Sequence, residues 1–266
     1  MRAVILLGHG SLRLGSGAAM IRLAARAQAA RVAPIVAAGF LNYSQPNFHA
    51  TLARVIAQGI DEVIVQPYFL VPGKFVRVDA PRQVEAGRAA YPKVRFALAP
   101  PFGDHAALAK LVLQRAAEAE ASNLGDSSPT ALVLVAHGSP DPSANRPVAA
   151  VAARLRAFWR YASVKVAYLG LNQPLIGPAI DELAQQGFRR FVIVPYFLQL
   201  GGHVAEDLPA AIAAAQARHP DTTLLLSEHL AYDPLLVTVI ADRVAAAVDG
   251  YNPTISQSNL DLTFIR

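Results

Sequence analysis

The chain has no cysteine among its 266 residues. Disulfide bonds, thiolate metal ligands, cysteine nucleophiles and cysteine-held iron–sulfur clusters are therefore excluded. A metal ion would have to be held by histidine, carboxylate, amide or backbone groups. We expect neither an iron–sulfur cluster nor an organic cofactor.

Long apolar runs are also missing, although hydrophobic residues make up 53% of the chain. The longest runs, such as residues 191–198, have about eight residues, well short of the roughly 20 that span a bilayer. The apolar start of the chain runs directly into Gly8-His9-Gly10 without a small-residue cleavage site, which predicts a first strand instead of a signal peptide. We therefore expect a globular cytoplasmic protein with no membrane partner.

Basic stripes are absent as well. The formal net charge of +5 is spread along the chain, without the clustered basic and aromatic residues of a nucleic-acid surface. No nucleic-acid partner is expected. The charge suits an anionic small substrate, and a solvated basic surface is the alternative interpretation.

The sequence does contain a duplication, in which equivalent residues are separated by 128 positions. His9-Gly10-Ser11 recurs as His137-Gly138-Ser139. Further recurrences in the same register are Gln45-Pro46 with Gln173-Pro174, Pro67-Tyr68-Phe69-Leu70 with Pro195-Tyr196-Phe197-Leu198, Asp79 with Asp207, and Arg115 with Arg243. A constant separation over more than a hundred residues (about half of the chain) indicates an internal repeat and not a chance match.

Each half alternates predicted strands and helices, the pattern of a parallel sheet covered by helices on both faces. In the first half, strands are predicted at 3–7, 34–41, 62–69 and 94–97, and helices at 16–31, 46–58, 76–91 and 106–120. In the second, strands are predicted at 131–136, 164–169, 191–198 and 223–227, and helices at 144–161, 174–186, 204–218 and 234–248. The predicted fold class is α/β with two similar lobes, 1–121 and 131–250, a turn-rich linker at 122–130 and a polar tail at 251–266.

Two histidines of the second half follow strand ends, where open parallel sheets bind ligands. His137 comes directly after the predicted strand 131–136, and His203 follows the predicted strand 191–198 after the turn that contains Gly201 and Gly202. Imidazole is an apt ligand for Fe²⁺, Co²⁺ or Ni²⁺, and it also accepts protons. Two such rings facing one crevice predict a metal site. For each histidine alone, helix capping or core packing is the alternative, and the glycines are equally consistent with simple turns.

The order Gly/Ala-His-Gly-Ser, Pro-Tyr-Phe-Leu, Gly, His and Asp-x-Pro resembles the sirohydrochlorin cobalto- and ferrochelatases of the CbiX and SirB type. The resemblance covers nearly the whole chain and implies a class II chelatase fold, in which an anionic tetrapyrrole lies between two lobes. On this resemblance, His137 and His203 are the metal ligands and catalytic proton acceptors, and Co²⁺ or Fe²⁺ is a substrate. The substrate-binding residues would be His9, Ser139, Gln173, Tyr196, Gly201 and Gly202.

Tyr196 would then stack on the macrocycle, whereas core packing is the alternative for a strand position. Because one chain carries both halves, we expect a monomer whose lobes mimic a dimer.

The chain departs from the family pattern in two places. Phe75 stands where the first half would carry its second histidine, and it can neither ligate a metal nor accept a proton. The N-terminal site is therefore expected to be vestigial, and nearby Lys74 and Arg77 either serve an anionic macrocycle or are simply solvated. Asn42 and Gly170 occupy the places of the family glutamate.

Candidates for the missing third ligand are Asn172, Gln173, Glu206 or a water, with a plain helix-surface role as the alternative for Glu206.

Other functions are consistent with parts of this pattern. A histidine phosphatase would need an arginine just before the histidine, but Gly8 and Ala136 stand there. A non-catalytic tetrapyrrole or metal carrier would keep the cleft without turnover, and the missing glutamates favour it. A purely structural pair of α/β lobes would leave the paired histidines unexplained.

Overall fold

The computed structural model describes residues 1–11, 17–121, 123, 128–199 and 201–249, without the side chains of residues 202–204. Most of the predicted linker at 122–130 and all of the tail at 251–266 lie outside this part of the chain. No helix within the described ranges is long and apolar enough to cross a bilayer.

The N-terminal half forms a parallel four-stranded sheet in the order β2-β1-β3-β4. Its strands are β1 (Arg2–Gly8), β2 (Ile35–Phe40), β3 (Glu62–Pro67) and β4 (Arg95–Leu98). Its helices are α1 (Ala18–Ala29), α2 (Phe48–Ile56), α3 (Ala80–Ala90) and α4 (Ala106–Ala121), and a π-helical segment (Phe75–Asp79) leads into α3.

The C-terminal half repeats this arrangement in a second parallel sheet, in the order β6-β5-β7-β8. Its strands are β5 (Thr130–Ala136), β6 (Ser163–Tyr168), β7 (Arg190–Pro195) and β8 (Thr223–Leu226). A 3₁₀ turn (Pro142–Asn145) leads into α5 (Arg146–Ala157), followed by α6 (Ile176–Gln185), α7 (Gly202–Arg218) and α8 (Pro234–Asp249). The predicted α/β fold with two similar lobes is confirmed.

The inner strands read as continuous apolar runs because helices cover both faces of each sheet. In β1 every residue after Arg2 is buried, and in β5 every residue after Thr130 is buried. Two strand predictions were too long. β3 ends at Pro67 and β7 at Pro195, so each Tyr-Phe-Leu segment lies in the loop beyond its strand. Proline has no N–H to extend the ladder, and the chain leaves the sheet after it.

The last helix of each half packs against the sheet of the other half. Helix α4 contacts β7 and β8, and α8 contacts β3 and β4. Arg115 of α4 donates a hydrogen bond to the carbonyl oxygen of His229 (3.0 Å), and the equivalent Arg243 of α8 donates to that of Phe102 (2.6 Å). Through this exchange the inner faces of both sheets share one hydrophobic core, while each outer face has its own.

Candidate functional site

The carboxyl ends of both sheets open onto one cleft between the lobes. In each sheet the first strand lies between the second and the third. The crossover from the first strand to the second and the crossover from the second to the third therefore run in opposite directions. Parallel sheets bind ligands at the carboxyl ends of the strands where this direction changes. The cleft is lined by His9 and Tyr68 from one lobe, by His137 and Tyr196 from the other, and otherwise by mostly apolar residues. Its empty volume, which includes the solvent-filled mouth, is about 750 Å³.

His137 directly follows β5, and it is exposed and lines the cleft. Gly138 has a φ of +90°, where glycine is strongly favoured. A Cβ at this position would lie 2.5 Å from the carbonyl oxygen of Gly170 and 2.6 Å from Oδ1 of Asn172. The same Oδ1 accepts a hydrogen bond from the backbone N–H of Ser139 (2.6 Å). The loop after β6 therefore fixes the backbone of the two residues that follow His137.

His9 occupies the equivalent place in the N-terminal lobe, but aromatic rings surround it. The centroid of the Phe75 ring lies 4.3 Å from that of His9, and Phe69 stacks on Phe75 at 5.7 Å. The Tyr43 ring meets His9 edge-on at 6.0 Å, and Nδ1 of His9 lies 2.8 Å from the carbonyl oxygen of Gly10. The imidazole of His9 is half-buried as a result.

His203 is the second residue of α7, so its predicted place at the start of a helix is confirmed. Its side chain lies outside the described part of the structure, as do the surroundings of Gly202. Gly201 has a φ of −70°, and no atom of the described residues lies within 4 Å of the position a Cβ would take. No close approach therefore requires glycine at Gly201, and the pairing of His137 with His203 stays a prediction.

The polar residues predicted to bind substrate take part in local turns. Oγ of Ser139 accepts a hydrogen bond from the N–H of Asp141 (3.2 Å), and Oε1 of Gln173 accepts one from the N–H of Leu175 (3.2 Å). Gln173 is exposed and Ser139 is half-buried. Tyr196 lies beyond the end of its strand, where it lines the cleft and packs in the core that the lobes share.

Tyr68 and Tyr196 form a matched pair on the cleft wall, although only Tyr196 was predicted to bind substrate. Their exposed fractions are 4% and 2%, and burial raises the pKa of both hydroxyls above the usual range. Both phenols are therefore neutral at physiological pH. Neither hydroxyl has a hydrogen-bond partner within the described ranges. The repeat itself carried the signal for Tyr68, since 128 positions separate the two tyrosines.

An ion pair joins the lobes next to the loop of His137. Nη1 of Arg77 donates to Oδ2 of Asp141 (2.8 Å), and Nη2 donates to Oγ of Ser143 (2.7 Å). Hydrogen bonds from Ser143, together with the charge of Arg77, hold the pKa of the Asp141 carboxyl below its usual value. Arg77 is thus bound to the other lobe, which neither interpretation of the sequence anticipated. The repeat offered no signal, because Ala205 and Arg13 stand at the equivalent positions.

A third metal ligand is not evident among the side chains that the structure describes, since no three His, Asp or Glu side chains come together there to hold an ion. Asn172 is engaged in the turn beside His137, where its Oδ1 also accepts a hydrogen bond from Nδ2 of Asn145 (3.1 Å). Glu206 is exposed on α7, as its helix-surface interpretation requires.

The CbiX family model matches the chain twice, at residues 3–119 and 131–247. A sirohydrochlorin cobaltochelatase of Priestia megaterium is 24% identical over 250 residues, which cover 94% of this chain and 81% of that protein. A sirohydrochlorin ferrochelatase of Bacillus subtilis is 23% identical over 244 residues, which cover 91% of this chain and 90% of that protein.

Solved structures show the same two-lobed fold. SirB from Bacillus subtilis with Fe³⁺ matches with a TM-score of 0.83 at 22% identity, over 94% of this chain and 98% of that one. CbiX, described as the terminal enzyme for biosynthesis of siroheme in denitrifying bacteria, matches with a TM-score of 0.62 at 26% identity, over 93% of this chain and 99% of that one.

Proposed function

The chain belongs to the CbiX family, and from this membership we propose that it is a chelatase that inserts a divalent metal ion into sirohydrochlorin or a closely related tetrapyrrole. Co²⁺ and Fe²⁺ are the proposed metal substrates, with Ni²⁺ as a third, and cobalamin or siroheme biosynthesis is the proposed setting. Relatives of similar length carry the names of both cobalto- and ferrochelatases, which supports metal chelation without selecting the ion.

The observation that carries this proposal is the cleft, because a histidine follows the first strand of each sheet and both histidines line the same space. A flat macrocycle entering between the lobes would meet apolar walls from both sides. His137 presents an exposed imidazole there, which can bind a metal ion and accept a proton. One chain supplies both walls, so the proposal needs no second subunit.

We propose that His203 supplies the second imidazole. The argument comes from the other lobe, where the rings of His9 and Phe75 are in contact at 4.3 Å between centroids. The duplication relates His137 to His9 and His203 to Phe75, each by 128 positions. In this proposal the C-terminal pair keeps two metal-binding side chains, whereas in the N-terminal lobe Phe75 covers His9.

In the proposed reaction, one divalent ion replaces two pyrrole protons of the macrocycle. His137 and His203 bind the ion through their ring nitrogens on one side of the macrocycle. As the ion passes to the ring, two pyrrole N–H bonds break and metal–nitrogen bonds form in their place. The imidazole lone pairs released by the ion then accept the two protons, so that each histidine acts as a general base.

A non-catalytic carrier of a tetrapyrrole or a metal is the second candidate. It is favoured by Asn42 and Gly170, which replace the glutamate expected on the family pattern, and by the lack of a three-ligand group among the described side chains. A carrier would bind sirohydrochlorin or Co²⁺ without converting them.

Insertion of Co²⁺ into sirohydrochlorin, followed by absorbance, tests the proposal. We expect His137→Ala and His203→Ala each to lower kcat at least about 100-fold, the usual effect of losing a positioned acid–base group. His49→Ala, at an exposed position on α2, is the matched control and should keep the wild-type rate. Tight binding of sirohydrochlorin without turnover by the wild-type protein would favour the carrier. Full activity of His203→Ala together with an inactive His9→Ala would show that the working half is wrongly assigned.

A further inference from the structure

Two exposed apolar side chains occupy equivalent positions in the loops that follow β2 and β6. Tyr43 is 65% exposed and Leu171 is 63% exposed, and 128 positions separate them. Each is the central residue of a tight turn, in which the next N–H donates to the preceding carbonyl oxygen, at 2.5 Å around Tyr43 and 2.7 Å around Leu171. We call Tyr43 and Leu171 the rim pair.

The backbone of the rim pair is in a conformation that side-chain-bearing residues avoid. The φ angles are +56° at Tyr43 and +63° at Leu171, in the left-handed region that favours glycine. A turn with an i+2 to i hydrogen bond and a positive central φ is rare and strained. Because both side chains are exposed, burial within the protein does not compensate for this conformation. Residues held in this way concentrate at ligand-binding sites.

Both loops border the cleft of the proposed active site. The Tyr43 ring lies edge-on to His9, with 6.0 Å between ring centroids. The residues on either side of Leu171 approach the loop of His137, since the Asn172 side chain accepts a hydrogen bond from Ser139. The rim pair therefore places one apolar residue next to the histidine-bearing loop of each lobe.

We propose that the rim pair positions the macrocycle, with Tyr43 and Leu171 contacting it from the two lobes. This inference rests on the proposed function. A flat, largely apolar ring between the lobes would remove apolar surface of both side chains from water, which favours its binding. A free metal ion offers no such surface. The rim pair should therefore control affinity for the tetrapyrrole and leave affinity for the metal unchanged.

Glycine substitutions separate this role from a structural one. Tyr43→Gly and Leu171→Gly, singly and combined, remove the side chains and relieve the positive φ. Trp159→Gly is the matched control, because Trp159 is also apolar, 90% exposed and at a φ of +54°, but follows the far end of α5. All variants should keep their Tm or raise it by up to about 4 °C, since relief of the positive φ outweighs the added chain entropy.

Binding of metal-free sirohydrochlorin is measured by titration, followed by the fluorescence of sirohydrochlorin itself. Binding of Co²⁺ is measured by calorimetry. Each rim substitution should raise the Kd for sirohydrochlorin about tenfold, the effect of exposing about half of such a side chain, and leave the Kd for Co²⁺ unchanged. Trp159→Gly should change neither. The inference is wrong if the double variant binds sirohydrochlorin like the wild type, or if its affinity for Co²⁺ falls equally. A wild-type protein that binds no sirohydrochlorin would refute the proposed function itself, and the inference with it.

Discussion

Replacing Gly138 with alanine tests how firmly the loop after β5 holds His137. The φ of Gly138 is +90°, and a new Cβ would lie 2.5 Å from the Gly170 carbonyl oxygen and 2.6 Å from Oδ1 of Asn172. Both atoms belong to the loop after β6. Because Oδ1 of Asn172 also accepts the hydrogen bond from Ser139, that side chain cannot withdraw without breaking the bond that joins the loops.

The expected cost has two parts. A side chain in the left-handed region costs about 1–2 kcal/mol, and leaving a partly buried hydrogen-bonding group unpaired costs about 1–3 kcal/mol. The free energy of unfolding should therefore fall by about 2–5 kcal/mol. For a chain of this size the Tm should fall by about 5–15 °C. A displacement of His137 by about 1 Å is sufficient to lower turnover roughly 100-fold.

Thermal unfolding by circular dichroism and Co²⁺ insertion into sirohydrochlorin measure the two effects. Gly59→Ala is the matched control, because Gly59 has a φ of +79° but, in the part of the chain that the structure describes, no atom lies within 4 Å of the position of its Cβ. This control should lose only the backbone cost, about 1–2 kcal/mol, and keep its activity. If Gly138→Ala is no less stable than Gly59→Ala and turns over at the wild-type rate, the described contact does not position His137.

Two further predictions concern the ion pairs of Arg115 and the pKa of Asp141. Asp233→Asn leaves Arg115 without its buried partner (their side chains are 5% and 11% exposed), and should lower stability by about 2–4 kcal/mol in urea unfolding at constant m-value. Glu118→Gln, which removes a half-exposed partner of the same arginine, should cost less than about 1 kcal/mol, and an equal loss in both variants would contradict the argument. The pKa of Asp141 is lowered, chiefly by hydrogen bonds from Ser143. The stability that the Asp141 carboxylate contributes is therefore fully present above the usual carboxyl pKa of about 4. This stability is lost as the pH falls through the lowered pKa. Ser143→Ala should raise the pKa of Asp141 in a carboxyl-carbon NMR titration, and an unchanged titration would refute this cause.

Hydrophobic patterning predicted the element order well and two strand ends poorly. The runs that became β1 and β5 are apolar because both faces of these strands are covered. The same signal continued through Tyr68 and Tyr196, which are also buried, although they lie in loops that line the cleft. An apolar residue in the sequence indicates burial, but it does not indicate whether its backbone is hydrogen-bonded to a neighbouring strand.

The glycines beside the predicted histidines show a similar limit. Gly138 is required, because its φ is positive and the loop after β6 lies against it. Gly201 is not required on either ground, since its φ is −70° and none of the described residues comes within 4 Å of the position of its Cβ. Both glycines look alike in sequence. Close approach depends on a neighbour that is distant in the chain, so the sequence alone could not distinguish them.

By itself, the sequence determined the α/β lobes, their duplication, and the places of His137 after β5 and His203 at the start of α7, because each of these follows from local patterning and a constant repeat offset. Only the tertiary structure decided that α4 and α8 each pack against the sheet of the other lobe and that both sheets open onto one cleft. It also decided that Arg77 forms an ion pair with Asp141, 64 positions away. These features arise from contacts between distant segments. Such contacts leave no periodicity in the chain, and the ion pair has no counterpart in the repeat.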